Sequence, residues 1–329
     1  MTTPHILELC DLSVEFRQGR RTPPFRAVDG VSLTIGQGET VGLVGESGSG
    51  KSTIGRVVLG LSPVHSGQVL FDGADITRAG ARTRRTLSSS LQVVFQDPYS
   101  SLNPARTIGQ TLAEPLLVHE KLDRRQTAAR IAAMLERVGM PADTANRYPG
   151  QFSGGQRQRI AIARALMLSP RLVICDEPVS ALDLSIQAQV MNLLADLQRE
   201  LSLSYLFIAH DLPVVRHLSQ RIVVLYRGQI MESGPAAQVY AEPAHPYTRM
   251  LIAAVPEPDP AAQRGRRTPR EADAPKPPAP TGCAFAHRCA HAVAICHAAR
   301  PVLLPRAGGP DAGAAEHLTA CHRSAELAA

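Results

Sequence analysis

The stretch G-E-S-G-S-G-K-S, Gly45 to Ser52, lies between the apolar run Val41-Gly42-Leu43-Val44 and a helix-like run beginning at Thr53. Strand, glycine loop and helix in that order leave few folds open. Phosphate groups are large, highly charged and need many donors at once, and a loop presenting successive backbone N–H groups at a helix N-terminus supplies them. Side chains at Gly45, Gly48 and Gly50 would block close approach of the phosphates, and some conformations of such a loop need positive φ. Lys51 then offers a mobile positive charge to the outer phosphates, and the Ser52 hydroxyl is placed to ligate Mg²⁺. Glu46, Ser47, Ser49 and Thr53 complete the expected cradle. A glycine-rich turn that binds nothing is the bland alternative, and the flanking strand and helix argue against it.

A chain of 329 residues can bury a full α/β domain and still carry a small appendage. Its 44% hydrophobic and 19% charged residues are an ordinary globular balance. The formal charge of +6 suits an acidic ligand but is too diffuse to indicate nucleic acid. With 4% aromatics and no Trp there is little to stack single-stranded bases, so no direct nucleic-acid partner is expected. The start M-T-T-P-H-I-L-E-L-C-D lacks a basic segment and a long apolar core, which predicts a cytoplasmic chain. No apolar run approaches the ~20 residues needed to cross a bilayer, so a membrane role has to come through a partner. Cys10 and Cys175 lie in strand-like apolar runs and are expected to be buried core thiols.

Ile6 to Phe16 and Val31 to Ile35 alternate apolar and polar positions, which predicts two half-buried strands at a sheet edge. Arg17 to Arg26 is basic, contains Pro23-Pro24 and reads as a loop. The pattern predicts a helix from Thr53 to Leu61, a strand from Gln68 to Phe71 closed by an Asp72-Gly73 turn, and a strand from Leu91 to Phe95. From about 97 to 168 the pattern is helical, with Ile131, Met134, Leu135 and Val138 on one face. Strands return at Leu172 to Cys175, Tyr205 to Ile208 and Arg221 to Tyr226, with a helix from Ile186 to Leu201. That alternation predicts a parallel sheet with crossover helices and a helical insert. Residues 255 to 281 hold P-E-P-D-P and P-K-P-P-A-P around Q-R-G-R-R-T-P-R, a composition that resists packing and reads as a linker. It divides a domain over residues 1–254 from a Cys-rich region over 282–329.

A second element of phosphate chemistry is Leu172-Val173-Ile174-Cys175-Asp176-Glu177, four apolar residues followed by two carboxylates. The C-terminal end of a strand is where an open α/β sheet places ligands. There Asp176 can hold Mg²⁺ through water, and Glu177 can orient and deprotonate an attacking water. Between the two elements, Phe152-Ser153-Gly154-Gly155-Gln156-Arg157-Gln158-Arg159 puts small residues and a serine before a helical run. This is either another anion site at a positive dipole end or a hinge with Ser153 as a cap.

F-S-G-G-Q-R-Q-R closely resembles the signature sequence of ABC-transporter ATPases, with Phe152 in place of the more usual leucine. Gln96 in V-V-F-Q-D-P looks like that family's Q-loop glutamine, Ser180-Ala181-Leu182-Asp183 like its D-loop, and His210 in F-I-A-H-D like its switch histidine. Phe16 sits where the family's adenine-stacking aromatic falls, with Phe25 as the rival. D-P-Y-S-S-L-N-P, E-P-V-S-A-L-D-L-S-I-Q-A-Q-V and the H-P-Y-T segment at His245 to Thr248 are similar to the ATPase subunits of oligopeptide and dipeptide importers. The signature run is most like the F-type member of their D/F pair, and the resemblance spans residues 6 to 322.

The resemblance implies an α/β fold: a P-loop ABC-type ATPase domain with a helical subdomain and an antiparallel edge sheet, plus a small Cys-rich region. It implies ATP and Mg²⁺, the metal being held by Ser52, Gln96 and Asp176, with Glu177 as base and His210 and Gln96 stabilising and sensing the phosphate. It also implies that Ser153, Gly154, Gly155, Gln156 and Asp183 face the glycine loop of a second ATPase chain. The implied partners are a D-type ATPase, two membrane permeases and a solute-binding protein, with this chain at the cytoplasmic face of the membrane.

Cys283, Cys289, Cys296 and Cys321 are separated by five, six and twenty-four residues. Thiols gathered in a cytosolic tail read as ligands rather than disulfides, because that compartment is reducing. None of the spacings is C-x-x-C. A 4Fe-4S cluster fits the ligand type, and G-C-A-F-A-H-R-C resembles the C-terminal region of peptide-importer ATPases, where such a cluster is implied. Zinc is the alternative, with His287, His291, His297 and His322 as spare ligands, and four unliganded thiols are the bland reading. Three rival functions stand beside peptide import: an ABC ATPase for nickel or another small solute, a soluble ABC ATPase acting on nucleic acid or ribosomes, and a non-enzymatic metal-binding regulator. A single P-loop without a long coiled-coil insert argues against the second, and the complete catalytic set argues against the third.

Overall fold

Strands that are apolar on both faces sit in the middle of this molecule, and strands with one apolar face lie at its flank. The computed structural model describes residues 5–17, 19, 23–97, 101–255, 281–306 and 317–327. β3 (Thr40–Val44), β7 (Leu172–Asp176), β8 (Ser204–Ala209) and β9 (Arg221–Tyr226) are buried along almost their whole length. With β6 (Leu91–Val94) they form the parallel run β9-β3-β8-β7-β6. Continuous apolar strands of this kind need cover on both faces, which helices provide.

The alternating strands form a second sheet of their own, antiparallel and four-stranded, in the order β2-β1-β4-β5, with β1 at His5–Phe16, β2 at Phe25–Gly36, β4 at Ser66–Phe71 and β5 at Ala74–Asp75. β2 starts earlier than its periodicity predicts. Phe25 and Arg26, expected in a loop, pair with Phe16 and Glu15 at the end of the hairpin. Cys10 is exposed, against the expectation of a core thiol. Leu7 and Leu9 take the inward positions, so alternation puts Cys10 on the outer face, before the irregularity at Asp11, which has φ of 47°.

Helix α1 (Lys51–Val58) begins directly after the glycine loop, two residues before the expected Thr53. α2 (Ala81–Leu87) escapes sequence reading because A-R-T-R-R-T-L buries nothing and so carries no apolar period. α3 (Ile108–His119), α4 (Arg124–Arg137) and α5 (Gly154–Leu166) follow between β6 and β7. Thr107, Asp123 and Ser153 cap them, each closing a reciprocal box with a glutamine three residues on. Ile131, Met134, Leu135 and Val138 are buried as the spacing predicts. α6 (Leu184–Leu201), α7 (Leu212–Leu218), α8 (Ala236–Ala241) and α9 (Pro246–Ala253) complete the cover.

The main sheet is mixed rather than purely parallel. β10 (Gln229–Pro235) returns antiparallel to β9 through a tight turn at Arg227 and Gly228, both with positive φ. β12 (Leu318–Thr319) then pairs with β10, and β11 (Leu304–Pro305) pairs with β12. The Cys-rich region therefore extends the main sheet. Glu232 on β10 is fully buried and accepts bonds from Ala244 N (2.7 Å), His245 N (2.9 Å) and the His317 ring (2.6 Å). Burial pushes the His245 imidazole down to about 4, so it stays neutral, and its Nδ1 accepts the Tyr247 N–H. Phe285 meets Tyr226 edge-on at 5.4 Å and Tyr247 at 5.3 Å, which ties the tail to the main core. Most of the predicted linker, residues 256–280, and Pro98–Ser100 of the D-P-Y-S motif lie outside the described residues. Among the described residues, no helix is long and apolar enough to cross a membrane.

A side chain at Gly42 would place its Cβ 1.9 Å from Val215 Cγ1 and 2.7 Å from Ser219 Oγ, so β3 and α7 approach closely only through glycine. Gly42→Ala is expected to destabilise the chain by about 1–3 kcal/mol with an unchanged denaturant slope, read from urea unfolding.

Candidate active site

Strand β3 delivers Gly45 to the edge where the parallel strands end. Close backbone approach rules out side chains at two positions of this loop: a Cβ at Gly45 would lie 2.0 Å from the Leu225 carbonyl oxygen, and one at Gly50 2.3 Å from that of Ala27. Gly50 also has φ of 105°. Around Gly48 nothing stands within 4 Å, so that side of the loop is open. Gly50 offers no side-chain cap to α1, and the N–H groups of Lys51, Ser52 and Thr53 have no acceptors within their own helix. They form a cluster of donors at the positive end of the helix. The Lys51 ammonium donates to the Gly45 (2.7 Å) and Glu46 (2.9 Å) carbonyls. Burial lowers its pKa, while Glu177, Asp176 and Glu46 pull it back up.

The register of the parallel strands brings the remaining groups to the same edge. Val44 pairs with Ala209, Asp176 with Ile208, and Val94 with Cys175. Gly45, His210, Glu177 and Gln96 therefore all follow strands that end together. The Ser52 hydroxyl donates to Asp176 Oδ1 at 2.7 Å. Burial holds the Asp176 carboxyl above the usual range, opposed by that hydrogen bond. Glu177 has φ of 48°, is anchored by its N–H to the Ile208 carbonyl, and places Oε2 3.5 Å from His210 Nδ1. Glu177, Ser180, Gln187, His210 and Asp211 line an open cleft. Lys51, Ser52, Asp176, Glu177 and His210 thus converge, and Gln96 is exposed at the same edge.

Residues 28–180 match the ABC transporter family, and residues 231–296 match the oligopeptide/dipeptide transporter C-terminal region. The oligopeptide transport ATP-binding protein OppF of Salmonella typhimurium is 50% identical over 308 residues, 91% of this chain and 92% of its own length. OppF of Escherichia coli K12 is 49% identical over the same span. This chain belongs to the ABC transporter ATPases. Solved ABC cassettes share the fold. The dimeric cassette MJ0796, in a post-hydrolysis state bound to ADP and Pi, aligns with a TM-score of 0.64 at 28% identity over 70% of this chain and 98% of its own. The cbiO1 protein of Clostridium perfringens, part of the transporter complex cbiONQ, gives 0.65 at 28% identity over 73% of this chain and 92% of its own.

The signature of this ABC chain stands apart from its glycine loop: among the described residues, no hydrogen bond or ion pair joins Ser153, Gly154, Gly155 or Gln156 to residues 45–53. Ser153 caps α5, accepting from Gln156 N, while Gly155 lets α5 approach Ile186, whose Cγ2 a Cβ would meet at 2.3 Å. Asp183 caps α6 by accepting from Ile186 N and Ser185 Oγ. Phe16 and Phe25 are direct cross-strand partners and both are exposed.

Two contacts to the loop were invisible in the sequence. The Glu46 N–H donates to Tyr247 Oη at 2.9 Å, and Arg288 Nη1 donates to Glu46 Oε2 at 2.8 Å. H-P-Y-T stands out by resemblance alone, and Arg288 reads as a spacer between cysteines. The four tail cysteines line a single cavity, with His245, His291 and His322 beside them. Burial pushes Cys283 up to about 11 and also raises Cys289 and Cys321. His287, expected as a spare ligand, lies instead beside the Tyr226 hydroxyl at 3.4 Å, and His297 is not among the lining residues. Among the described residues, no three His, Cys, Asp or Glu side chains converge closely enough to hold a single ion.

Gly50→Ala meets both a positive φ and a backbone oxygen. It is expected to weaken equilibrium binding of a fluorescent ATP analogue by about tenfold or more, with unfolding still cooperative.

Proposed function

We propose that this chain is the ATP-hydrolysing subunit of an ABC importer that carries dipeptides or oligopeptides across the cytoplasmic membrane. The observation that carries the reading is the common strand-end edge of Lys51, Ser52, Asp176, Glu177 and His210, in a chain whose H-P-Y-T tyrosine bonds the same glycine loop. The names of the relatives supply the peptide.

The β- and γ-phosphates enter the loop at the N–H groups of Lys51, Ser52 and Thr53, and the Lys51 ammonium exchanges loop carbonyls for phosphate oxygens. Ser52 and Asp176, already within hydrogen-bond distance, fit a hard cation with oxygen ligands, and Gln96 completes the set. Mg²⁺ bound there neutralises charge on the phosphoryl oxygens. Glu177 takes a proton from water as the water oxygen attacks the γ-phosphorus and the bond to the bridging oxygen breaks, giving ADP and phosphate. His210 stabilises the transferring group. Phe16, with Phe25 beside it, supports the adenine.

Ser153, Gly154, Gly155, Gln156 and Asp183 serve the glycine loop of a facing D-type ATPase, a reading supported by the dimeric cassette among the structural relatives. Two permeases, fed by a solute-binding protein, complete the importer and hold the chain at the cytoplasmic face of the membrane. Residues 1–254 act as the ATP-binding domain, with about 97–168 as its helical subdomain, and 282–329 as the Cys-rich region behind the linker. There Cys283, Cys289, Cys296 and Cys321 hold a 4Fe-4S cluster. Thiol sulfurs around a shared space suit a cluster better than the tight tetrahedron of a single zinc, whose Zn–S bonds are ~2.3 Å.

Glu177→Gln is expected to keep ATP binding and to lose steady-state hydrolysis by about 10²-fold or more in the assembled complex; unchanged turnover refutes the base assignment. Recovery of a second ATPase and two permeases from membranes supports import, whereas ribosomal partners overturn it. Iron and acid-labile sulfide in equal amounts in anaerobically purified protein support the cluster, and zinc in their place replaces it.

A further inference from the structure

At Glu46 the glycine loop is held from outside by the C-terminal part of the chain. Glu46 is bonded through all its polar parts: its N–H to Tyr247 Oη, its carbonyl to Lys51 Nζ, its carboxylate to Arg288. Tyr247 and Arg288 both lie beyond the strands that build the nucleotide site. Arg288 closes the short 3-10 turn Ala286–Arg288, and its guanidinium rests 5.9 Å from the Tyr226 ring and 5.8 Å from the Phe285 ring. Its other contacts are Tyr226 Oη and Met250 Sδ, each at 3.5 Å.

The turn is framed by two of the four tail cysteines. Ala286 N donates to the Cys283 carbonyl at 3.0 Å, Arg288 N to that of Phe285 at 3.0 Å, and Cys289 N to that of Ala286 at 3.3 Å. Cys283 N in turn donates to the Cys296 carbonyl at 2.8 Å. Cys283, Cys289 and Arg288 therefore belong to a single hydrogen-bonded unit.

Two physical effects make Arg288 matter to the nucleotide. A carboxylate beside a polyphosphate site repels its ligand, and the guanidinium neutralises it. A loop with three glycines also loses more conformational freedom on ordering than an ordinary one, and fixing Glu46 beforehand reduces what ATP binding has to supply.

We infer that Arg288 is a positioning residue for ATP binding, acting through Glu46, and that ligation of Cys283 and Cys289 is felt at the glycine loop through it. The second half rests on the reading of the cysteines as a ligand set. Arg288 does not touch the reacting atoms, so its loss weakens binding and leaves the hydrolysis of bound ATP intact.

The test is equilibrium binding of a fluorescent ATP analogue to the full chain, paired with single-turnover hydrolysis in the assembled complex. Arg288→Ala weakens binding about fivefold, a size set by a half-exposed ion pair, with no change in single-turnover rate. Arg288→Lys restores most of the loss, and so does Glu46→Gln added to Arg288→Ala, because it removes the bare charge. Unchanged affinity in Arg288→Ala, or an equal loss in Arg288→Lys and Arg288→Ala, overturns the positioning role. For the coupling, Cys289→Ser weakens binding by a similar factor and adds nothing to Arg288→Ala. Independent, multiplying effects overturn it, as does full affinity in a Cys289→Ser protein that has lost its iron. Metal analysis of the same preparations separates the two failures: protein without iron or zinc sinks the ligand reading, while the Arg288 variants still decide the positioning role.

Discussion

The parallel register of four strands is the constraint on which this molecule depends. β3, β8, β7 and β6 are hydrogen-bonded so that their C-terminal residues stand side by side, and each then releases one chemical group: a glycine loop, a histidine, a pair of carboxylates, a glutamine. A slip of one residue in any pair would exchange the side chains packed on its two buried faces and move its functional group off the edge. Burial fixes the register. Val41, Leu43, Ile174, Leu206 and Ile208 are inaccessible or nearly so, and misfit of such side chains in a slipped register costs about 1–3 kcal/mol each. Chemistry at the edge thus rests on hydrophobic packing behind it.

The interior also holds charge, and its arrangement follows a different rule. Glu232 accepts from two backbone N–H groups and the His317 ring, so a carboxylate with no solvent has each oxygen engaged. Its partners come from the start of α9 and from the segment that forms β12, which makes this one residue the junction of three pieces of chain. Removing a partner would leave a buried charge uncompensated, so the junction is hard to dismantle piecemeal.

What was legible in the sequence was what nearest neighbours determine. Gly45 to Ser52 declares itself because its backbone has to bend and its donors have to face one ligand, and Asp176-Glu177 because four apolar residues precede them. Ser153 was ambiguous: anion cradles and helix caps both call for a small hydroxyl residue before a helix, and in this chain it is bonded as a cap. Cys10 was misread because a thiol in an apolar run was taken as core, whereas alternation from the inward Leu7 and Leu9 puts it on the outer face. The hold on Glu46 had no local trace, since Arg288 lies 242 residues away and its meaning comes only from where the tail folds back. β12 was similarly hidden: two residues have no period, and Leu318 and Thr319 are a strand only because β10 offers an edge.

That last pairing has a consequence in time. Glu232 stands opposite Thr319, so a chain emerging from the ribosome can finish the parallel strands and their common edge long before the strand that covers β10 exists. Until residue 319 has been made, the nascent protein carries an open sheet edge and a carboxylate whose histidine partner is still to come, both of which invite pairing with other chains. The final closure joins distant segments and is the slow kind of contact, costly in loop entropy. Synthesis order makes the tail the step that turns an assembled site into a finished protein.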